Sequence, residues 1–312
     1  MTNHGIEERA KEIFSESLFR GEVRFREPMS NHTSLRIGGC ADIFIKPQDR
    51  SSLQRLRANL KKNQVPFFAL GGGTNILVRE GGVDGAVISF RSFRNIDVSS
   101  EDANCVKLYV EAGTPLQRLV SLSSEKGYSG VEGLAGIPGT VGGAICGNAG
   151  AFGYEMKDVL LSVTVMDAGG IEVLDAGEMV FEYRSSSIRP YEMILSAEVY
   201  LKKDSKENVS AKADDFLKRK RERQPIGEPS AGCVFKNPPG LSAGKLIDEA
   251  GCKGMRMGDV EVSGIHANFF VNRGGAKAFD FIRLMDQVTH KVAERFGVVL
   301  EPEIRIIGRD VN

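Results

Sequence analysis

Gly133-Leu134-Ala135-Gly136-Ile137-Pro138-Gly139-Thr140-Val141-Gly142-Gly143-Ala144 is the stretch on which the fold turns. A similar loop precedes it, Gly71-Gly72-Gly73-Thr74-Asn75. Neither is a low-complexity linker, because apolar Leu134, Ile137 and Val141 stand between the glycines. Glycine is used where the backbone needs a left-handed φ, or must approach a ligand so closely that a Cβ would collide. Either loop alone reads as a tight turn. Two of them, with the motifs downstream, read as backbone N–H groups curled around an anion, such as the pyrophosphate of a dinucleotide. The first loop lacks the Lys-Ser/Thr of a P-loop, and no G-x-G-x-x-G opens a helix. Phosphate would therefore be held by loop amides and by the side chains of Thr74 and Asn75.

A chain of 312 residues has room for two domains, and 41% hydrophobic residues supply real cores. Lys+Arg 41 against Asp+Glu 41 leaves no net charge. That gives no support to a nucleic-acid or membrane-surface role. The five cysteines, Cys40, Cys105, Cys146, Cys233 and Cys252, are odd in number and show no C-x-x-C spacing. This argues against a disulfide framework or zinc site and for a reducing compartment. No apolar run approaches the ~18 residues of a membrane span. Met1 to Lys11 is polar, without a signal-peptide core. The expectation is a cytosolic protein.

Apolar spacing predicts a helix over 6–20, strands at 35–37 and 41–45, a helix over 52–63, and a strand over 65–70. Strands follow at 85–90 and 105–112. Thr114-Pro115-Leu116-Gln117 reads as a capping box that opens a helix ending near Gly127. Strands at 159–166, 171–174 and 192–201 come next. The composition then turns polar. Asp204 to Asp214 is the expected boundary, which gives a helical segment at 1–30 and domains at 31–203 and 204–312. Beyond it the pattern predicts a basic helix ending at Arg223, helices over 242–251 and 276–296, and strands over 268–271 and 298–307.

Three further stretches hold side chains able to do chemistry. Tyr183-Arg184 lies in a Ser-rich segment and could offer a guanidinium fork to a carboxylate or phosphate. Taken alone it reads as a surface Arg with capping serines. Ser230-Ala231-Gly232-Cys233-Val234-Phe235-Lys236-Asn237-Pro238-Pro239 packs a thiol, an ammonium and an amide together. A thiol with a reference pKa of ~8.5 can donate or accept a proton, although a free Cys is usually a small buried hydrophobe. Glu301-Pro302-Glu303-Ile304-Arg305 places carboxylates beside the last apolar strand, where a Glu can stabilise charge or simply face solvent. Lys218-Arg219-Lys220-Arg221 reads as a solvated helix face or as an anchor for a diphosphate.

Together these residues resemble the UDP-N-acetylenolpyruvoylglucosamine reductase family. The likeness runs from about Asn31 to Gly308. It includes Asn31-His32-Thr33-Ser34-Leu35-Arg36-Ile37-Gly38-Gly39, both glycine loops, Gly147-Asn148-Ala149-Gly150, Tyr183-Arg184, the Cys233 segment and Glu301 to Arg305. The resemblance implies an α+β fold. An FAD-binding domain of the vanillyl-alcohol-oxidase (PCMH) type, made of two α+β subdomains, would precede a smaller α/β substrate-binding domain. It implies non-covalent FAD reduced by NADPH. Hydride then passes from flavin N5 to C3 of an enolpyruvyl UDP-sugar, yielding UDP-N-acetylmuramate for peptidoglycan, and so for cell shape and division.

By position in the motifs, the resemblance assigns Arg184 and Glu303 to the enolate and Cys233 to protonation of C2. Most members have Ser at the Cys233 position. Cofactor contacts would come from Gly71, Gly72, Gly73, Thr74, Asn75, Ile76 and Leu77. The second loop would add Gly133, Ala135, Gly136, Ile137, Pro138, Gly139, Thr140, Gly143, Ala144, Gly147 and Asn148. Substrate contacts would come from Tyr183, Arg221, Lys236, Asn237 and His266, and no metal is implied. No inserted tyrosine-bearing loop follows Arg184, so the chain resembles the shorter type, expected to be monomeric. A flavin oxidase of the same superfamily would share the glycine loops but not the Cys233 and Glu303 motifs. A non-catalytic nucleotide-binding regulator would lack bound flavin. A nucleic-acid module on Lys218–Arg221 is disfavoured by the zero net charge.

Overall fold

A computed structural model describes residues 19–167 and 169–311. The helix expected over 6–20 lies outside the described residues except for its last two positions, which are not helical. The chain forms two compact units, each gathered from separated stretches. The first contains Ile43–Gly72 and Gly85–Arg219, with the residues up to Phe25. The second contains Arg26–Asp42, Gly73–Asp84 and the chain from Lys220 on.

In the first unit a large antiparallel sheet runs in the order Ile171–Asp175, Leu160–Met166, Met193–Lys203, Cys105–Glu111, Ile96–Glu101. Tyr128–Ser129 pairs the far end of Met193–Lys203. Alternation along Cys105–Glu111 buries Val106, Leu108 and Val110, the period-two pattern of a one-sided strand. A second sheet runs Gly21–Pro28, Cys40–Pro47, Val83–Ser89, Phe67–Leu70, the last strand parallel to its neighbour. Helix Arg50–Lys62 starts where the Asp49 carboxylate accepts the Ser52 N–H at 2.7 Å, and it buries Leu53, Leu56 and Leu60.

In the second unit Ser230–Cys233, Phe269–Asn272, Val260–Val262 and Arg256–Met257 form an antiparallel sheet. Helix Ala278–Phe296 presents Phe281, Leu284, Met285, Val288 and Val292 to the same core, all buried at helical spacing. The Phe281 ring centroid stands 5.3 Å from that of Phe270. Ile76–Val78 and Arg305–Ile307 form a short parallel pair.

The structure departs from several expectations. Gly21–Pro28 is a strand where a helical segment was expected to reach residue 30, because it pairs along Cys40–Pro47. Residues 35–37 are not a strand. The Arg36 N–H closes a turn on the Thr33 carbonyl, and the alternation instead buries Leu35 and Ile37 in the second core. The helix after Thr114 runs Leu116–Lys126 with Pro115, not Thr114, at its cap and no side-chain capping bond. The Thr114 carbonyl is taken by the Val141 N–H, and the Gln117 side chain turns to the second glycine loop. Strand Ile96–Glu101 is too exposed for an apolar pattern and was missed. The last strand shrinks to Arg305–Ile307. From Lys206 on, the polar stretch expected as a boundary lies in one continuous helix, Lys206–Arg223, whose charged residues are mostly exposed, Lys220 being buried.

Phe281→Ala should cost about 3–5 kcal/mol, the usual penalty for emptying a fully buried aromatic site. A urea titration followed by circular dichroism checks this. An unchanged midpoint would show that Phe281 is not central to its core.

Candidate active site

The second glycine loop follows a 3-10 turn at Glu132–Leu134 and runs into the short helix Val141–Cys146. One side chain from outside, that of Gln117, bonds three of its backbone groups. Gln117 Nε2 donates to the carbonyls of Ile137 at 2.7 Å and Leu134 at 3.1 Å, and its Oε1 accepts the Gly136 N–H at 2.8 Å. Glu132, buried to 1% exposure, accepts from Ser129 Oγ and the Gly130 N–H, both at 2.7 Å. Thr140 Oγ1 accepts the Gly143 N–H at 3.3 Å and so caps the short helix.

The first glycine loop meets this one at Gly71. A Cβ built there would lie 2.5 Å from Thr140 Oγ1, so the two loops approach as closely as only glycine permits. Among the described residues, the N–H groups of Gly71, Gly72, Gly139 and Thr140 have no acceptor in the protein. At Gly71 a side chain is excluded, while N–H groups around it stand without a protein acceptor. That is what the pyrophosphate of a flavin dinucleotide requires, and the residues present fit the group.

Tyr183-Arg184 forms the tip of a small hairpin, Phe181–Glu182 with Ser185–Ser186. Arg184 sits at φ 61, which holds it in the turn. Its guanidinium lies over the Tyr183 ring, 5.1 Å from the centroid, and Nη1 donates to the Gly150 carbonyl at 3.0 Å. Two contacts fix the hairpin. Ser186 Oγ donates to the Cys146 carbonyl at 3.0 Å, and Asn148 Nδ2 reaches the Glu182 carbonyl at 3.4 Å. Asn148 is 1% exposed, and its amide also donates to Glu155 at 3.0 Å and accepts the Lys157 N–H at 3.1 Å. Its side chain is therefore engaged in holding the Arg184 hairpin.

In the second unit a buried amide again organises the site. Asn268, 2% exposed, accepts the Phe235 N–H at 2.9 Å and donates to the Phe235 carbonyl at 2.8 Å. The Val234 N–H donates to the Asn268 carbonyl at 2.8 Å. On the other side, the Glu303 N–H donates to the Val234 carbonyl and the Lys236 N–H to the Glu301 carbonyl, both at 2.8 Å. Cys233 and Glu303 are thus one residue apart across adjoining chain segments. Asn75 of the first glycine loop is joined to the same place. Its Nδ2 donates to the Glu303 carbonyl at 3.1 Å, and its own carbonyl accepts the Arg305 N–H at 3.0 Å. Ile76 and Leu77 continue as a strand beside Arg305 and Ile306. Ser34 Oγ donates to the Ser230 carbonyl at 2.6 Å, and its N–H to the Gly73 carbonyl at 3.0 Å.

The expected substrate residues separate in character. Lys236 Nζ stands 3.7 Å from Glu301. Asn237 Oδ1 accepts the Ala243 N–H at 2.9 Å and orders the start of helix Ala243–Glu249. Arg221 lies exposed on helix Lys206–Arg223, whereas Lys220 is buried at 5%. His266 Nδ1 accepts the Asn268 N–H at 3.2 Å, which leaves the proton of a neutral ring on Nε2. Gly244 leaves room for this ring, since a Cβ there would stand 2.9 Å from its Cε1. Burial pushes the His266 pKa down, and the nearby Lys253 charge adds to the effect. No group of three His, Cys, Asp or Glu able to hold a metal occurs among the described residues.

Sequence reasoning read Gln117 only as the end of a capping box and passed over Glu132 and Asn268. The latter two are buried polar residues outside any motif, and only the demand that buried polar groups be satisfied could have flagged them.

The fold and the paired glycine loops define a flavoprotein of the FAD-binding domain class. Residues 41–175 match the family described as FAD binding domain, and residues 224–307 match the UDP-N-acetylenolpyruvoylglucosamine reductase C-terminal domain. The UDP-N-acetylenolpyruvoylglucosamine reductase of Geotalea uraniireducens is 42% identical over 93% of this chain and 96% of its own length. That of Caldanaerobacter subterraneus is 42% identical over 96% and 97%. The crystal structure of the reductase from Thermus caldophilus superimposes with a TM-score of 0.79 at 36% identity, covering 93% of this chain and all of that one. The chain belongs to the UDP-N-acetylenolpyruvoylglucosamine reductase family.

Gln117→Leu should leave the fold intact but lower the FAD retained per chain, because the loop loses three hydrogen bonds. Flavin absorbance of the purified variant against protein concentration measures this, and full occupancy would count against the clasp. His266 carries a pH dependence. Its folded value lies below the ordinary 6.5, so under that pH the unfolded chain binds the extra proton. Stability should fall as pH drops through 6.5 toward the depressed value and stay level above it. His266→Gln should flatten that part of a melting-temperature profile relative to the parent.

Proposed function

We propose that this chain reduces the enolpyruvyl group of UDP-N-acetyl-3-O-(1-carboxyvinyl)-glucosamine to give UDP-N-acetylmuramate, a step of peptidoglycan precursor synthesis that consumes NADPH. The observation that carries this reading is the end-to-end match to curated reductases, with both family domains present in order. The chemistry that FAD would supply in this site is hydride transfer, from NADPH to C3 of the enolpyruvyl group.

The residues do the rest. The glycine loops hold the cofactor without a covalent bond, through the open N–H groups at Gly71, Gly72, Gly139 and Thr140. Addition at C3 leaves charge at C2 that spreads into the substrate carboxylate. Arg184 stabilises that charge, its guanidinium already oriented by Tyr183 and Gly150. Glu303, anionic by default, serves there through a hydrogen bond or in its protonated form. The Cys233 thiol gives its proton to C2, completing reduction of the double bond, and is reprotonated from solvent. A thiol with a reference pKa of ~8.5 is mostly protonated at neutral pH and so available as donor. Gly232 at φ 75 and the bulge between Ser230 and Cys233 shift the register just before Cys233 pairs with Phe269. Lys236, His266, Tyr183 and Arg221 contact the UDP-sugar.

The first unit carries the cofactor and the second the substrate. We place the enzyme in the cytoplasm, as a monomer. Cys40, Cys105, Cys146, Cys233 and Cys252 form no disulfide, which fits a reducing compartment, and among the described residues no helix is long and apolar enough to cross a membrane.

Arg184→Ala and Glu303→Gln should slow reoxidation of the reduced enzyme by substrate far more than its reduction by NADPH, because the enolate exists only in the second half-reaction. Stopped-flow traces of the two halves separate them, and equal damage to both would remove the assignment. Cys233→Ala should keep FAD and NADPH reduction but lose turnover by about two orders of magnitude or more, the usual weight of a general acid. Cys233→Ser should retain appreciable activity, since a hydroxyl can also donate. A fully active Cys233→Ala enzyme would show the thiol to be packing alone.

A further inference from the structure

Helix Arg50–Lys62 carries Gln54, Arg57, Ala58 and Lys61 on one face, at i, i+3, i+4 and i+7. With Asp167 and Ile171 of the turn that joins two strands of the large sheet, they line a cavity of about 220 Å3 within the first unit. Arg57 is the anomaly in it. The residue is 9% exposed, and its guanidinium lies over the Phe67 ring, 4.7 Å from the centroid. That contact satisfies the face of the cation. It does nothing for the edge, where five N–H donors lie in the plane.

Arg57 Nε is buried with no hydrogen-bond partner, and among the described residues no carboxylate pairs with this guanidinium. The one carboxylate in the lining turns an oxygen to its own loop. Asp167 Oδ1 accepts the N–H groups of Gly169 at 2.6 Å and Gly170 at 3.2 Å. A buried cation without its counter-charge is costly, and a polar cavity beside it is where the compensation can enter. Lys61, exposed at the rim, adds a second positive charge.

We propose that this cavity binds the oxyanion group of a small molecule, a phosphate or a carboxylate, on the edge of the Arg57 guanidinium. The fork of an Arg matches either group with two parallel bonds. The second cation at Lys61 favours the more highly charged phosphate. The volume admits more than a bare ion. The site involves neither glycine loop nor any residue assigned to catalysis, so it stands or falls apart from the proposed reaction.

The test titrates the FAD-loaded protein with inorganic phosphate, acetate and chloride at matched ionic strength, by calorimetry and by thermal melting. Phosphate should bind saturably and raise the melting temperature beyond chloride, and acetate should do so less. An equal response to acetate would assign the site to carboxylates. Arg57→Gln should weaken phosphate binding at least about tenfold, as expected for one charge-assisted pair. Ala58→Asp alters only an exposed position. It places a tethered carboxylate at the rim, and should abolish the titration while FAD content stays at the parent level. If Arg57→Gln does not fold, Ala58→Asp alone decides. Phosphate binding that is unchanged in the variants, or no stronger than chloride in the parent, would overturn the site.

Discussion

A loop of glycines binds nothing unless something else holds its shape. Glycine has more backbone freedom to lose on ordering than any other residue. The second loop uses that permissiveness to bring bare N–H groups close together, and it needs an outside constraint to stay in one conformation. The Gln117 carboxamide is that constraint. It reaches from the first turn of helix Leu116–Lys126 and satisfies two loop carbonyls and one loop N–H. The helix is in turn seated by its own packing, with Leu116 and Leu119 fully buried. The loop therefore inherits the rigidity of the core through this side chain, together with backbone bonds such as Leu116 N–H to the Gly139 carbonyl and Val141 N–H to the Thr114 carbonyl.

The second unit solves the same problem with the same chemistry. The Asn268 amide bonds both backbone groups of Phe235, and its carbonyl takes the Val234 N–H. Buried amides without partners are expensive, so each is a strong local constraint once satisfied. The geometry that follows is specific. Val234 bonds to Glu303, and Glu303 bonds to Asn75, so a small error at Asn268 would pass along backbone bonds to the groups proposed for proton transfer. His266 shares in this, because its Nδ1 accepts the Asn268 N–H and so fixes the tautomer that a substrate would meet.

The sequence made the long periodic elements plain. Helix Ala278–Phe296 and strands Cys105–Glu111 and Met193–Lys203 fall where spacing puts them, because one face of each is buried and nothing local competes. Short elements were illegible for a physical reason. At Leu35-Arg36-Ile37 the alternation is real, but it serves burial of two side chains on a turn, not a ladder. At Thr114 and Gln117 the capping residues are present but bond elsewhere, the Thr114 hydroxyl to the Asn95 carbonyl and the Gln117 amide to the neighbouring loop. Local sequence states what a residue can bond, and tertiary structure decides with whom.

The candidate site was legible where glycine or a motif marked it and illegible where a buried polar residue supports it. Asn148 illustrates the difference. The motif places it with the cofactor residues, but its amide is engaged with Glu155, Lys157 and Glu182, which puts its weight behind the hairpin that carries Arg184. Asn237 behaves alike, ordering a helix start through its oxygen. Motif residues of this kind hold neighbouring segments in place. A substitution at such a place acts on catalysis through geometry, since a displacement of the order of an ångström can cost as much rate as the loss of a reacting group. Within one motif-derived set the structure thus shows which side chains, such as those of Asn148 and Asn237, bond neighbouring backbone, a distinction that spacing along the chain cannot make.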